Sequence, residues 1–361
     1  MVQKGLRNVI AAETSISLVD GDNGHLIYRG YDARDIALNK SFEEVTYLLW
    51  YGHLPTEDEK KEFSISLKIN RHLPPYVAQI IRALPNEMEI MNQIQTAIAA
   101  LGTSKFKWKP SVEQAIRLAA VIPTITAAIY RKMNRKEIIQ PNMELNHVEN
   151  YLYMLTGEVP TSTHTRALEA YMILTMEHGM NASTFASRVV SSTESDMVSA
   201  VTGAIGAMKG PLHGGAPTGV IDMLNEIKEK DRAETWIRRK LENKEYLMGF
   251  GHRIYKTRDP RAEVLSKICK QIGQDDPWLN LANFVEEKAI QLLEEYKPGR
   301  KLYTNVEFYA AAVMRAIDMS PKLFTPTFTV SRMVGWTAHV IEQSLDNTIF
   351  RPEAKYVGAH Y

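Results

Sequence analysis

The sequence predicts an all-α protein of a dozen or more helices, with one small β-hairpin near the N-terminus. Apolar residues recur at spacings of three and four along most of the chain, as they do on the buried face of a helix. Helix-start signals precede several of these stretches. Beyond the hairpin, no segment shows regular strand alternation and no repeat period is visible, so helix packed on helix is the expected architecture.

The elements follow in order along the chain. Residues 15–30 place two short apolar runs around a Gly/Asp/Asn turn, which predicts the hairpin. Capping boxes at 41–44 and 56–59 predict two helix starts. In 161–179 the apolar stripe includes His178, so that residue is expected to end a helix with Gly179 as its C-cap. Further helices are predicted over 87–101, 111–133, 144–156, 195–208, 214–229, 231–243, 259–272, 281–296, 304–318 and 327–345.

Composition bounds the functional classes. With 361 residues and 45% hydrophobic residues, the chain can bury a large core and is long enough for two domains. Its 43 basic and 42 acidic side chains give no overall attraction to nucleic acid or anionic membrane. Cys269 stands alone, the start lacks an apolar signal region, and the apolar run 119–130 is too short to span a bilayer. We therefore expect a cytoplasmic protein without a nucleic-acid or membrane partner.

Two histidines lie in glycine-rich loops. His213 stands in "GPLHGGAPTG", where small neighbours would let a ligand approach the imidazole, although a tight turn with an incidental histidine explains the motif equally well. His252 precedes a basic run that ends at Arg261, which suits phosphate or carboxylate ligands. The alternative there is a solvated loop that enters a helix at Asp259 and Pro260. Dinucleotide-binding, P-loop and zinc patterns are not matched.

Glu307 is a carboxylate in the first turn of an otherwise apolar helix, "TNVEFYAAAV". Thr304 and Glu307 have the spacing of a capping box, so the carboxylate could stabilise the helix start. The alternative is a catalytic base, but from this stretch alone the capping box is the better explanation. Arg332 and Arg351, taken singly, are predicted to be surface or helix-packing residues.

Together these pieces resemble the citrate synthase family. The motifs are "EHGMNAST" (177–184), "KGPLHGGAP" (209–217), "MGFGHRIYKTRDPRA" (248–262), "NVEFYAAAV" (305–313), "SRMVGW" (331–336) and "FRP" (350–352). The length and "GFGHRIYK" are similar to the bacterial dimeric type, which includes 2-methylcitrate synthases. The resemblance implies an all-helical homodimer with a large domain (1–214 and 319–361), a small domain (215–318) and an active site in the cleft between them.

The resemblance also assigns roles. His213 would hydrogen-bond the thioester carbonyl of acetyl-CoA, His252 would polarise the ketone of oxaloacetate, and Glu307 would be the base. The expected oxaloacetate contacts are His178, Arg261, Arg332, Arg351 reaching across from the partner subunit, and Arg71. The expected CoA contacts are the backbone of Tyr246, Leu247, Met248, Gly249, Phe250 and Gly251, with Arg253 and Lys256 on phosphates.

The implied reaction is that of a citrate (Si)-synthase: a Claisen-type condensation through an enol, then hydrolysis of citryl-CoA to citrate and CoA, at the entry of the tricarboxylic acid cycle. No metal or redox cofactor is expected. The sequence departs from the family where Thr304 and Glu307 replace the usual proline and aspartate. Two alternatives stay open, a 2-methylcitrate synthase that uses propionyl-CoA and a weakened paralogue that binds CoA or oxaloacetate for regulation.

Overall fold

Helices make up most of the structure. The computed structural model describes residues 3–6, 8–214, 216–252, 254–272 and 276–359. Within these ranges it contains sixteen α-helices and three short strands. The helices are α1 (Ala33–Asn39), α2 (Phe42–Tyr51), α3 (Glu57–Ile69), α4 (Pro75–Ala83), α5 (Ile90–Ala99), α6 (Val112–Met133), α7 (His147–Thr156), α8 (Ser162–Thr175), α9 (Ala182–Ser192), α10 (Met197–Met208), α11 (Ala216–Ile227), α12 (Lys230–Glu242), α13 (Pro260–Ile272), α14 (Pro277–Tyr296), α15 (Val306–Ala316) and α16 (Phe324–Leu345).

The predicted hairpin is confirmed and extended by one short strand. Strands β1 (Ser17–Asp20), β2 (His25–Tyr28) and β3 (Tyr31–Asp32) form an antiparallel sheet in chain order. At the β1–β2 turn, the Asp20 carboxylate accepts the backbone N–H groups of Asp22 and Asn23. This local bonding explains why aspartate and asparagine occupy the turn.

The two predicted capping boxes are present. At the start of α2, Ser41 accepts the Glu44 backbone N–H while the Glu44 carboxylate accepts that of Ser41. Thr56 and Glu59 do the same at the start of α3. Each such cap stabilises its helix by roughly 0.5–2 kcal/mol.

The expectation that His178 ends a helix is wrong. Helix α8 ends at Thr175, and residues 176–181 form a loop before α9, which the apolar pattern did not predict. The buried hydroxyl of Tyr28 lies 3.2 and 3.3 Å from the carbonyl oxygens of Ile173 and Leu174 and 2.7 Å from that of Glu177. A tertiary contact therefore satisfies carbonyls that another helical turn would have used.

Helix α16 runs through the core between α6, α8, α9 and α10. Among the described helices, α6 alone is long and apolar enough to cross a bilayer, but 83% of its most apolar window is buried against other parts of the protein. Such burial is typical of a core helix. Helices α11 to α15 pack mainly on one another, and α13 and α15 also reach α8.

Candidate active site

The loop after α8 presents His178 to a cluster of rings. His178 Nε2 lies 3.2 Å from the Tyr255 hydroxyl, and the His178 and His252 rings meet edge to face with centroids 5.7 Å apart. Burial, together with the positive charge of Arg261, holds the pKa of His178 well below its usual range. His178 is therefore a neutral imidazole near neutral pH.

His252 has a tautomer set by its own loop. Its Nδ1 accepts the backbone N–H groups of Ile254 (3.1 Å) and Tyr255 (3.0 Å), so the proton of the neutral ring is on Nε2. Burial, and then the nearby Arg261, lowers the pKa of His252 to about 4. The Nε2–H faces Arg261 Nη2 at 3.3 Å. Since a guanidinium cannot accept a hydrogen bond, this N–H is free to donate to a ligand.

Arg261 and Asp259 form a buried pair. The guanidinium donates to both carboxylate oxygens, from Nε at 3.0 Å and from Nη2 at 2.8 Å. Asp259 also accepts the backbone N–H of Arg261 (3.0 Å) and that of Val306 (3.1 Å), so it caps α13 and holds the first residue of α15. Burial works to raise the pKa of Asp259, but Arg261 keeps it below its usual range. Asp259 caps the helix as predicted, and Lys256 and Arg258 in the loop are exposed, but Arg261, which follows in α13, is buried.

Arg332, on α16, is a buried cation without a carboxylate partner at ion-pair distance among the described residues. Its Nε donates to the Thr175 carbonyl oxygen (2.7 Å), and its guanidinium lies 4.8 Å from the centroid of the Phe328 ring. Burial lowers the pKa of Arg332 to about 10. Because an unpaired buried charge is costly, this position fits an anionic ligand.

His213 is joined to this group through Phe328 and Ser183. Its ring centroid lies 6.5 Å from that of Phe328, and its Nε2 lies 2.8 Å from the Ser183 hydroxyl. Ser183 also accepts the Trp336 indole N–H (3.0 Å) and can donate its single proton to Asn181 Oδ1 or to His213. Burial, and then the charge of Arg332, lowers the pKa of His213 to about 4.

Glu307 is the second residue of α15 and does not cap it. The N-cap residue is Asn305, and the Thr304 hydroxyl donates instead to Glu286 at 2.6 Å. The predicted capping-box alternative is therefore wrong. Glu307 Oε2 is buried and has no hydrogen-bond partner among the described residues. Burial raises the pKa of Glu307 above its ordinary value, although Arg261 opposes the shift. A carboxylate in this state is a stronger base than a solvated one.

Comparison with known proteins identifies the family. The model of the citrate synthase C-terminal domain family matches residues 5–353. The chain is 40% identical to a citrate synthase of Deinococcus radiodurans, over 100% of this chain and 97% of the relative. The chain belongs to the citrate synthase family. A 2-methylcitrate synthase of Mycobacterium tuberculosis is 38% identical, over 99% of this chain and 91% of the relative.

The fold agrees with this assignment. A citrate synthase structure from Thermoplasma acidophilum, described as a ternary complex with carboxymethyl coenzyme A and oxaloacetate, matches with a TM-score of 0.93. It is 33% identical and covers 100% of this chain and 97% of that one. The predicted all-α, citrate-synthase-like fold is confirmed, and the protein is an enzyme of this family.

The loop expected to bind CoA packs against the segment that leads into α15. Gly251 N–H donates to the Tyr303 carbonyl oxygen (2.7 Å), and Asn305 donates from its backbone to Gly249 and from its side chain to Gly251, each at 2.9 Å. Gly249 has a φ of +83°, and a Cβ there would lie 2.9 Å from the Phe308 ring. In the same loop, Tyr246 and Met248 are exposed, and Leu247 is buried.

Three predicted site residues, Arg71, Lys256 and Arg351, make no hydrogen bond or ion pair with this cluster among the described residues. Arg71 is fully buried and donates to the carbonyl oxygens of Asn142 and Leu145, so a contact with substrate stays a prediction for this residue. The ammonium group of Lys256 lies 2.7 Å from the Asp22 carboxylate in the hairpin turn. Arg351 is exposed in the terminal segment, and Arg253 lies outside the described residues.

Sequence reasoning missed the residues that hold the histidines in place. Ser183 and Glu177 both lie in the motif "EHGMNAST", from which only His178 had been selected. Tyr255 lies in the motif of His252. A polar residue inside a motif that already contains a candidate ligand is the signal that could have found them. Among the described residues, no group of three or more His, Cys, Asp or Glu side chains is arranged to hold a metal.

Proposed function

We propose that this enzyme condenses acetyl-CoA with oxaloacetate and hydrolyses the product to citrate and CoA. One observation carries the proposal: Glu307 has an unpartnered buried carboxylate oxygen and interacts with Arg261, which adjoins the neutral donor His252. A base, a donor and a cation are the groups that carbon–carbon bond formation next to a carboxylate requires. Membership of the citrate synthase family supports the same chemistry.

Oxaloacetate would bind through its two carboxylates. Arg332 has more hydrogen-bond donors left for a ligand than Arg261. Arg261 is paired with Asp259, whereas the Arg332 guanidinium has no carboxylate partner at ion-pair distance among the described residues. Arg261 is oriented by Asp259 and keeps donor positions for a ligand. His178, being neutral, could donate one further hydrogen bond. The ketone oxygen would then face the Nε2–H of His252.

Enolisation would use Glu307 and His213. The Glu307 carboxylate takes a proton from the thioester methyl group, and the C–H electron pair becomes the double bond of the enol. If Ser183 donates its proton to His213 Nε2, the imidazole carries its own proton on Nδ1 and can donate it to the thioester oxygen. Asn181 Oδ1 keeps the Thr184 backbone N–H as a donor when Ser183 turns away.

Condensation and hydrolysis would follow. The enol carbon attacks the ketone carbon as the enol oxygen returns its proton to His213, and the ketone oxygen takes a proton from His252, giving citryl-CoA. The proton that Glu307 took replaces the one that His252 gave. Water then attacks the thioester, the C–S bond breaks, and CoA leaves as a thiol. Each proton in these steps has a donor or acceptor among Glu307, His213 and His252, so the proposal includes no metal or redox cofactor.

The assembled enzyme would be a homodimer in the cytoplasm. Arg351 is exposed on a terminal segment whose Phe350 ring packs edge to face on Phe185, with centroids 5.5 Å apart. In a dimer this arginine could reach the partner's oxaloacetate. We further propose that residues 215–318 form the small domain, because α11 to α15 pack mainly on one another. Its closure would exclude water until citryl-CoA forms.

A thiol-release assay tests the proposed function. Purified enzyme should release CoA thiol from acetyl-CoA only when oxaloacetate is present, with kcat/KM higher than that for propionyl-CoA. A preference for propionyl-CoA would make the protein a 2-methylcitrate synthase, since one methyl group is discriminated by only about 1–3 kcal/mol. Binding of both substrates without thiol release would favour the regulatory alternative.

A further inference from the structure

The histidine on α16, His339, is enclosed in the core behind the candidate site. His339 is fully buried, and its Nδ1 faces two donors of Arg188, Nε at 3.0 Å and Nη2 at 2.9 Å. Its Nε2 lies 3.0 Å from Glu177 Oε1. Because Nδ1 accepts from Arg188, the proton of the neutral imidazole is on Nε2 and is donated to Glu177.

Glu177 holds the loop that carries His178. Its Oε1 also accepts the Ser17 hydroxyl (2.8 Å) and the Gly179 backbone N–H (2.5 Å). Its own carbonyl oxygen accepts the Tyr28 hydroxyl (2.7 Å). The residues on both sides of His178 are therefore fixed by hydrogen bonds, and side-chain rotation is the main freedom left to that imidazole.

Helix α16 connects the His339–Glu177 hydrogen bond to Arg332, the cation that is proposed to bind oxaloacetate. Arg332 and His339 are seven residues apart, which is two helical turns, so they lie on the same side of the helix. Gly335 lies between them, and a Cβ there would come within 2.3 Å of the Met176 carbonyl oxygen and 2.5 Å of Glu177 Oε2. The helix thus touches the loop directly, and it sets the loop's distance from Arg332.

We propose that His339 and Glu177 are positioning residues for oxaloacetate: through the backbone of the 176–179 loop they hold the His178 imidazole at a fixed place beside Arg332. This inference rests on the proposed function, since it takes oxaloacetate as the ligand of His178 and Arg332. It assigns no contact between His339 or Glu177 and the substrate.

The test compares two substitutions of His339. Leucine fills a similar volume but has no polar atom, whereas glutamine offers an amide oxygen to Arg188 and an amide N–H to Glu177. For His339→Leu we expect the KM for oxaloacetate to rise by about tenfold or more, because an ångström of misplacement has large effects. The KM for acetyl-CoA should be unchanged. For His339→Gln the KM for oxaloacetate should return close to the wild-type value.

His147→Leu is the matched control. His147 is 1% exposed, stacks on Phe42 and donates its backbone N–H to Glu43, and both of these partners lie outside the candidate site. It should alter thermal stability but neither KM. Ser17→Ala is a second variant, because it removes one donor from Glu177 Oε1 at a partly exposed strand residue, and it should raise the KM for oxaloacetate by a smaller factor.

The outcomes separate the two proposals. An unchanged KM for oxaloacetate in His339→Leu and Ser17→Ala, with only the thermal midpoint lowered, would make the network structural and overturn the inference. An equal rise in His339→Gln and His339→Leu would also overturn it, because the hydrogen-bond polarity would then be irrelevant. A wild-type enzyme that releases no thiol would refute the proposed function instead.

Discussion

At the scale of single residues, the protonation states of three side chains decide the proposed chemistry. His213 and His252 have a pKa of about 4, and Glu307 has one raised above 4.5 by burial. The histidines are therefore neutral donors across the neutral range. Glu307 must be ionised to act as a base, so its raised pKa sets the lower limit of the useful pH range.

The raised pKa of Glu307 predicts how pH affects the stability of the Glu307→Gln variant. A group whose pKa is higher in the folded state contributes stability at low pH, and this contribution is lost as pH rises through the folded pKa. At pH 7 the ionised Glu307 therefore destabilises the fold. Glu307→Gln should be more stable than wild type at pH 7, by roughly 0.5–2 kcal/mol as for other single stabilising changes.

Urea unfolding at several pH values measures this difference. The advantage of the glutamine variant should shrink as pH falls through the raised pKa of the folded state, and it should be lost below the ordinary value of 4.5, where the wild-type carboxyl is protonated in both states. A variant that is less stable than wild type at pH 7 would mean that the carboxylate has a stabilising partner, contrary to its unpartnered Oε2.

A second residue-scale prediction concerns Ser183. Ser183→Ala should lower kcat by about 10- to 100-fold, because His213 loses the partner that fixes its tautomer. The KM for oxaloacetate should change little. Ser187→Ala is the matched control: Ser187 is equally buried on α9, but its hydroxyl donates to the Thr184 carbonyl oxygen. If both variants keep wild-type kcat, Ser183 does not support His213.

At the scale of elements, Asp259 connects two helices of the site. It binds Arg261 on α13 and the first residue of α15, the helix that carries the proposed base Glu307. Asp259→Asn should raise the KM for oxaloacetate and lower kcat together, because Arg261 and the start of α15 shift at once. Removing one partner of a buried pair should also cost about 3–5 kcal/mol of unfolding free energy. Steady-state kinetics and denaturant unfolding measure the two effects.

Asp276 offers a matched control for this variant. It caps α14 through the Trp278 backbone N–H (2.7 Å) and pairs with Arg315 (3.0 Å), but this pair is partly exposed. Asp276→Asn should cost about 1 kcal/mol or less and leave both kinetic constants unchanged. Equal kinetic effects at Asp259 and Asp276 would contradict the connecting role.

Helix starts and ends show why the sequence predicted some features of the fold and not others. The capping boxes of α2 and α3 depend on residues three apart, so local spacing was sufficient. The spacing of Thr304 and Glu307 was identical, but Glu286 from α14 takes the Thr304 hydroxyl, and Asn305 becomes the N-cap. The end of α8 depends on Tyr28 from the hairpin. Contacts between distant elements decided both errors.

The candidate site likewise contains residues that the sequence motifs identified and residues that only the fold revealed. Histidines, Arg261 and Arg332 could be selected because their motifs resemble a family pattern, and the structure brings them together. The supporting residues Ser183, Asp259 and Glu177 matter through hydrogen bonds that only the fold reveals. Arg71 was selected as a cation outside these motifs, and its guanidinium donates to two backbone carbonyl oxygens.

At the scale of the whole molecule, the proposed dimer makes a prediction about shared sites. If Arg351 acts across the interface, then mixing Arg351→Gln and Glu307→Gln subunits gives heterodimers with one fully wild-type site and one site with both defects. Random reassociation should then recover about a quarter of wild-type activity, because half of the dimers are mixed and half of their sites are intact. No recovery in a verified mixed dimer would show that Arg351 acts, if at all, within its own subunit.

The most direct test of the central claim, that Glu307 is the base, is the turnover number of two variants at that position. Glu307→Gln keeps the shape but cannot take a proton, and it should lower kcat by about 10²- to 10⁴-fold. Glu307→Asp keeps the carboxylate but draws it back by one methylene, which should cost on the order of 10²-fold or less. The account predicts that the aspartate variant is the more active of the two. A glutamine variant that retains most of the wild-type kcat would contradict it.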